Sequence, residues 1–147
     1  MKLIIDTNLL FSAVSKPDGR IAEIILNPAF NLQLMGCYFS YIELFKHKNK
    51  LLKASKLDET DLLDMMYQII KRIKFVNESG ISEAILEDAY KLTKDIDEKD
   101  TIFVAMSKHL NCKIWSGDKV LVEGLRKKGV ENTLLTSELL EILTKTP

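Results

Sequence analysis

The chain has 147 residues, of which 46% are hydrophobic and 29% are charged, and it contains three prolines and six glycines. This length and composition are typical of one globular domain, expected over residues 1–147, and they exclude a disordered or fibrous chain. The 21 basic residues balance 21 acidic residues, so the net field attracts a polyanion only weakly and any nucleic-acid site must be local.

Short apolar runs alternate along the chain with longer segments of helical period. The predicted strands cover residues 3–5, 32–35, 73–76, 113–115 and 133–135. Apolar faces at helical spacing are Tyr41, Phe45 and Leu52 in residues 40–55; Leu62, Met66, Ile69 and Ile73 after a turn near Asp58; Ile85, Ala89 and Leu92; and Phe103, Met106 and Leu110. Alternating strands and helices of this size predict an α/β domain with three layers, a central parallel sheet covered by helices on both faces.

Cysteine usage and hydropathy indicate a cytoplasmic protein. Cys37 and Cys112 form neither a CxxC pair nor a zinc motif, so we interpret them as reduced, partly buried thiols. The apolar run after Lys2 meets Asp6 too soon for a secretory signal. No stretch approaches the roughly 18 apolar residues that a membrane helix needs, so cytoplasmic localisation is the expectation.

Four acidic residues occupy positions where chemistry is expected in such a fold. Asp6 closes the first strand and Asp118 comes just after the strand at 113–115, whereas Glu43 and Asp100 lie at predicted helix starts. Ligands of open α/β sheets gather beyond the carboxyl ends of the strands, so we expect these carboxylates to converge there. An all-oxygen acidic site favours Mg²⁺ or Mn²⁺, which can activate water for attack on a phosphate.

Each acid also has a purely structural interpretation. Ser40 and Glu43 match a capping box, the segment 97–100 suits the start of a helix, and the segment 116–118 suits a turn. Asp6 is harder to explain in this way, because an acid directly after an apolar strand lies near the buried sheet. A charge there is costly unless a partner or a metal neutralises it.

Together these motifs resemble the PIN-domain nucleases, including the VapC-type toxins of toxin–antitoxin pairs. The resemblance rests on the run Ile4-Ile5-Asp6-Thr7-Asn8, on Glu43, on the run from Asp97 to Ala105, and on the segment 114–118. It spans essentially the whole chain, with the four elements in the right order. It implies a PIN-like fold and a ribonuclease, specifically an endonuclease, that uses Mg²⁺ or Mn²⁺ and metal-activated water to hydrolyse RNA.

The resemblance also implies roles for individual residues. The catalytic, metal-binding acids are Asp6, Glu43, Asp100 and Asp118; Asn8 and Ser116 match polar residues that orient the site or touch phosphate; and Asp97 matches a supporting acid of related subgroups. Many members carry a further acid where this chain has Val120, which leaves a complete second metal site in doubt. The implied partners are an RNA substrate, a companion antitoxin and a second copy in a homodimer.

A row of lysines follows Glu43 in the predicted helix at 40–55. Lys46, Lys50 and Lys53 recur roughly on the helical face of Glu43, with His47 beside them. One interpretation is an RNA-binding track that contacts phosphates without reading bases. The alternative, a solvated face that keeps the domain soluble, is equally compatible with the sequence.

Two other functions stay open at this point. A phosphatase of the haloacid-dehalogenase kind also places an aspartate after its first strand, but it needs D-x-D, and here the third position is Asn8. A non-catalytic PIN-like module that binds RNA or a protein partner is compatible with Val120 and with the balanced net charge. The four acids argue against that second alternative.

Overall fold

The computed structural model describes residues 1–145, which form a five-stranded sheet in the order β3-β2-β1-β4-β5. The strands are β1 (Lys2–Ile5), β2 (Gln33–Cys37), β3 (Ile73–Val76), β4 (Lys113–Trp115) and β5 (Thr133–Leu134). Every neighbouring pair of these strands is parallel. The predicted strands are thus confirmed, and β2 continues two residues beyond the expected end.

Helices connect the strands throughout the described residues. They are α1 (Thr7–Ser15), α2 (Arg20–Leu26), α3 (Tyr38–Lys46), α4 (Lys48–Ser55), α5 (Glu59–Ile70), α6 (Glu83–Thr93), α7 (Thr101–Leu110), α8 (Lys119–Lys127) and α9 (Thr136–Lys145), with 3-10 turns at Pro28–Phe30, Glu78–Gly80 and Glu98–Asp100. Among residues 1–145, no helix has the length and apolar character needed to cross a membrane.

The side chains of β1 alternate between two hydrophobic clusters, one on each face of the sheet. Leu3 and Ile5 belong to the cluster that α1, α4 and α5 cover, and Ile4 belongs to the cluster that α6, α7 and α8 cover. All three side chains are fully buried, and each contributes roughly 1.5–3 kcal/mol by leaving water. The alternation follows from the period of two in a strand, and it confirms the three-layer α/β/α architecture.

The central strand β1 lies where the strand order reverses. From β1 the chain adds β2 and β3 on one side of that strand. After α7 it returns to add β4 and β5 on the opposite side of β1. Ile5 pairs with Trp115 in register, so the next residues, Asp6 and Ser116, leave the sheet side by side. A crevice forms beyond the carboxyl ends of the strands at such a switch point.

The segment 40–55 differs from its prediction as one helix with an apolar face of Tyr41, Phe45 and Leu52. It forms α3 and α4, separated at His47, whose backbone dihedrals leave the helical region. Tyr41 and Phe45 are 42% and 44% exposed, whereas Ser40 and Leu44 are buried. Leu52 packs against the core as predicted, but Tyr41 and Phe45 do not. The helix instead buries Ser40, whose hydroxyl is hydrogen-bonded to Thr7, and turns the aromatic rings outward.

The next predicted face holds in part. Leu62, Met66 and Ile69 are buried along α5, and the carboxylate of Asp58 caps this helix by accepting from the backbone N–H of Asp61 at 2.8 Å. Ile73, however, lies in β3 rather than on the same helix. An apolar residue three positions beyond a helix end continues the helical period by sequence alone, which explains the error.

Candidate active site at the carboxyl edge of the sheet

Asp6 ends β1 and caps the first turn of α1. Its Oδ1 accepts from the backbone N–H of Leu9 at 2.8 Å, as expected for a residue type that is preferred at helix N-caps. Its Oδ2 accepts from the hydroxyl of Ser116 at 2.8 Å. The side chain is only 3% exposed, so a carboxylate with one protein bond on each oxygen is held rigidly at the end of the central strand.

Ser116 connects Asp6 to Asp118. Its hydroxyl oxygen accepts from the backbone N–H of Asp118 at 3.1 Å while its proton is donated to Asp6. Asp118 in turn caps α8, and its Oδ1 accepts from the N–H groups of Val120 and Leu121 at 2.9 and 3.2 Å. The segment 116–118 is therefore a turn into a helix, and that structural role leaves Oδ2 of Asp118 without a protein bond among residues 1–145.

Asp97 and Asp100 play different parts although they lie three residues apart. The carboxylate of Asp97 accepts from the N–H of Lys99 at 3.0 Å and caps the 3-10 turn Glu98–Asp100. Asp100 follows at the start of α7 and makes no capping bond with its side chain. It is 9% exposed, so it is a buried carboxylate that no capping bond holds.

Glu43 lies in the middle of α3, and the capping-box interpretation of this residue is wrong. The helix begins at Tyr38, and the hydroxyl of Ser40 is hydrogen-bonded to Thr7 at 2.7 Å rather than to a helix N–H. Glu43 instead bonds Nε2 of His47 through its Oε2 at 2.9 Å. Lys46 lies 3.9 Å from its other oxygen.

These acids line a pocket of about 550 Å³, here called the acidic pocket. Its walls comprise Asp6, Thr7, Asn8, Phe11, Phe39, Glu43, Glu78, Asp97, Lys99, Asp100, Ile102 and Phe103. Asp118 lies outside it, in an adjoining groove that shares Asn8. Three of the four predicted acids therefore face one cavity, and the fourth stands beside it.

Glu78 is a site residue that the sequence analysis missed. Its Oε2 accepts from the N–H of Tyr38 at 2.8 Å and so ties the start of α3 to the turn after β3. The rule that led to Asp6 and Asp118 predicts it as well, because Glu78 follows the carboxyl end of β3 by two residues. The aromatic residues that line the pocket, Phe11, Phe39 and Phe103, could not be predicted as site residues, because apolar periodicity indicates only burial.

Burial and neighbouring charges raise the pKa of two of the acids. Burial raises the pKa of Asp6, the bonds from Leu9 and Ser116 oppose that rise, and the charge of Asp118 adds to it. Burial raises the pKa of Asp100 to about 7, with further contributions from the charges of Asp97, Asp6 and Asp118. Buried carboxylates with other acids nearby are expected to be stabilised by a cation.

The donor set fits a hard divalent ion, although no ready-made cage is present. Within residues 1–145 no three His, Cys, Asp or Glu side chains are grouped closely enough to hold a metal ion as they stand. The residues that couple electrostatically offer carboxylate oxygens only, which is the ligand type of Mg²⁺ and Mn²⁺. Lys99 is the one cation that lines the acidic pocket within the described residues.

Comparison with known proteins decides the family. The model of the PIN domain matches residues 4–138, a range that contains every acid described above. The chain belongs to the PIN-domain family. No curated protein matches it in sequence.

A solved structure supports the PIN fold independently. VapBC2 from Rickettsia felis, bound to a DNA fragment from their promoter, includes a chain that superposes on this one with a TM-score of 0.57 at 14% identity. The match covers 92% of this PIN domain and 97% of that chain. At this identity the likeness establishes a shared fold.

Family membership removes one alternative function and leaves the ligand assignment as an expectation. A haloacid-dehalogenase-like phosphatase is no longer supported, since the whole-chain match is to a PIN domain. PIN domains are generally nucleases that use divalent metals. The roles of Asp6, Glu43, Asp100 and Asp118 as metal ligands remain predictions for this PIN domain.

The lysine track expected after Glu43 does not form one helical face. Lys46 lies at the end of α3, whereas Lys50 and Lys53 lie on α4 beyond the break at His47. Helical spacing does not carry across such a break, and RNA binding by these lysines stays a prediction. Lys50 lines a small cavity with Phe11 and His47, and Lys46 faces Glu43.

Proposed function

We propose that this PIN domain is a Mg²⁺- or Mn²⁺-dependent endoribonuclease. The observation that carries the proposal is the convergence of acids from three distant parts of the sequence: Asp6 and Asp100 line one pocket, and the charge of Asp118 raises the pKa of both. Two buried carboxylates beside a further acid are costly for folding unless they serve a ligand. In a family of nucleases, the ligand that matches this set is a divalent metal.

Several side chains have the positions and oxygen atoms needed to bind that metal. Asp6 and Asp100 would bind it through their buried carboxylates and Asp118 through its Oδ2, and Glu43 would bind it after releasing His47. Ser116 orients Asp6 by donating to Oδ2, and Asn8 stands at the border of the acidic pocket and the adjoining groove. When bound, the metal acidifies a water molecule and stabilises charge on the phosphate. Val120 provides no further acid, so one metal is the simpler expectation.

Cleavage of RNA tests this proposal directly. Purified protein is incubated with end-labelled single-stranded RNA in Mn²⁺, in Mg²⁺ and in excess EDTA, with Asp6→Asn as the matched inactive variant. We expect internal cleavage only with metal, and none by Asp6→Asn. RNA binding without cleavage under all conditions would favour the non-catalytic PIN-like module instead.

We further propose that the chain is the toxin of a toxin–antitoxin pair. The likeness to VapBC2 of Rickettsia felis supports this assignment, which includes a companion antitoxin and a homodimer as partners in the cytoplasm. Induced expression of the wild type should arrest growth, whereas Asp6→Asn at the same protein level should not. Growth that is unaffected by an active enzyme would point to RNA processing rather than toxicity.

A further inference from the structure

A second cavity, of about 820 Å³, adjoins the acidic pocket and has the opposite charge. Its charged walls are Lys16, Arg20, Lys119 and Asp118, and we call it the basic groove. It shares Asn8 with the acidic pocket. The two cavities therefore meet beside Asp6, with cations on one side and acids on the other.

Local sequence explains how two of these cations reach the same wall. Lys16 caps the end of α1, and Arg20 is the first residue of α2. The turn between them is closed by the N–H of Gly19, which donates to the carbonyl of Lys16 at 2.9 Å. A Cβ at Gly19 would lie 3.0 Å from that same oxygen, so glycine permits the tight turn that brings Lys16 and Arg20 together.

The third cation comes from the other side of the switch point. Lys119 is the first residue of α8 and directly follows Asp118. Lys16, Arg20 and Lys119 are all exposed, and among residues 1–145 none of them pairs with a carboxylate. What sets them apart is that they face one cavity that adjoins the acidic pocket.

Exposed cations without partners, facing one cavity, are the arrangement that binds a phosphate backbone without reading its bases. The acidic pocket repels a polyanion except where a metal neutralises it. A nucleic-acid strand that reaches the acids must therefore be held by charge elsewhere, and the groove that meets the pocket at Asn8 offers that charge.

We infer that the basic groove binds the sugar-phosphate backbone of single-stranded RNA beside the scissile phosphate, through Lys16, Arg20 and Lys119. This assignment rests on the proposed ribonuclease function and names where its substrate lies. The lysines after Glu43 occupy two separate helices, and their RNA binding stays a separate prediction. An acidic peptide is the competing occupant. It lacks the phosphate that a metal in the acidic pocket would bind, so only RNA is expected to extend from the groove into that pocket.

The test compares two triple variants that lose the same charge. One is Lys16→Ala/Arg20→Ala/Lys119→Ala. Its control is Lys2→Ala/Lys71→Ala/Lys74→Ala, which removes three exposed lysines from a cavity lined by the starts of β1, β2 and β3, at the opposite edge of the sheet. Circular dichroism and thermal melts establish that both variants fold, and the single variants of the groove stand in if its triple variant does not.

Binding of a labelled, unstructured RNA is measured by fluorescence anisotropy in EDTA at several salt concentrations. For the groove variant we expect at least about tenfold weaker binding at low salt. The negative slope of log affinity against log salt should become shallower by about 2, since each lost phosphate contact removes about 0.7 from its magnitude on single strands. The control variant should bind as the wild type does. Equal weakening in both variants, an unchanged slope in the groove variant, or no RNA binding by the wild type would overturn the inference.

Two further measurements separate this inference from the proposed function. If the wild type cleaves RNA in Mn²⁺ and the groove variant has an unchanged KM, the proposed ribonuclease function stands and the groove is not its RNA-binding site. If the salt slope depends on the groove but no cleavage occurs, the groove binds RNA and the proposed ribonuclease function is wrong. A poly-glutamate peptide that binds the groove more tightly than RNA of equal charge would also overturn the assignment.

Discussion

Ser116 and Asp6 are hydrogen-bonded at 2.8 Å although 110 positions separate them in the sequence. The bond exists because β1 and β4 are neighbours in register, and the residues that follow Ile5 and Trp115 emerge together. The same hydroxyl accepts from the N–H of Asp118. One buried serine thus fixes the relative positions of two predicted metal ligands.

Removing this hydroxyl should weaken metal binding as well as folding. In Ser116→Ala the N–H of Asp118 and Oδ2 of Asp6 lose a partner, which costs about 1–3 kcal/mol of unfolding free energy. We also expect about 10- to 100-fold weaker Mn²⁺ binding by calorimetry, as for other groups that orient ligands. Ser107 is a matched control, because it is equally buried and bonds Cys112 and Asn132 instead. If Ser107→Ala weakens Mn²⁺ binding as much, the effect of Ser116→Ala is one of general stability.

Substitutions of Asp6 should separate its structural role from its chemical role. Asp6→Asn keeps an oxygen to accept from Leu9, so we expect folding within about 1 kcal/mol of the wild type, together with loss of RNA cleavage. Asp6→Ala removes the cap and should cost about 1–2 kcal/mol in addition. Chemical denaturation in EDTA measures both values. An Asn variant as unstable as the Ala variant would show that the charge itself holds the fold.

Asp97 and Asp100 should respond differently to the same substitution. Asp97 accepts from a backbone N–H, and asparagine caps nearly as well as aspartate, so Asp97→Asn should change Mn²⁺ affinity little. Asp100→Asn should abolish most of the affinity and the cleavage activity, since that carboxylate makes no capping bond. Equal losses in a Mn²⁺ titration would identify Asp97 as a ligand.

The stability of the metal-free protein should fall as the pH rises towards 7. The pKa of Asp100 is about 7 in the folded chain, against an ordinary value of 3.8. A raised carboxyl pKa stabilises the fold below the unfolded value, and that contribution is lost as the pH rises through the folded value. Relative to Asp100→Asn, the wild type in EDTA should therefore lose on the order of 1–2 kcal/mol of unfolding free energy between pH 4.5 and pH 8, a figure reduced for solvent screening.

Denaturation curves of both proteins across this pH range make the comparison, and saturating Mn²⁺ should restore the stability of the wild type alone. A difference between the two proteins that does not vary with pH would contradict the assignment of Asp100 as the titrating group.

His47 should compete with a metal for Glu43. The imidazole holds Oε2 of Glu43 at 2.9 Å, so His47→Ala should tighten Mn²⁺ binding by a few-fold, whereas Glu43→Gln should weaken it by about tenfold or more. Both variants are compared in the same calorimetric titration. Weaker binding by His47→Ala would mean that the histidine positions Glu43 for the metal.

Much of this architecture could be predicted from the sequence because strands and acids carry local signals. The strands at 73–76 and 113–115 are bounded by turn residues, and Asp6 and Asp118 follow apolar runs directly. The position of an acid at a strand end then gives its place in the fold without any knowledge of packing.

The segment 40–55 resisted prediction because its structure depends on distant partners. Ser40 is buried because its hydroxyl and that of Thr7 are hydrogen-bonded, and the break at His47 lets Leu51 of α4 reach the core beside α1. The local sequence pattern predicts neither contact, because it treats a serine as a surface residue and aromatic residues as buried ones. The basic groove was missed for the same reason, since its cations come from two segments that only the fold brings together.

The pairing of β1 with β4 also governs when the site can exist during synthesis. Asp6 is translated 110 residues before Ser116, its hydroxyl partner, and 112 residues before Asp118. Contacts between residues so far apart form late in folding, because the intervening chain must first be ordered. A nascent chain that ends before residue 116 therefore carries Asp6 without the framework that orients it, and whatever activity the acids support begins only after residue 118 has been added.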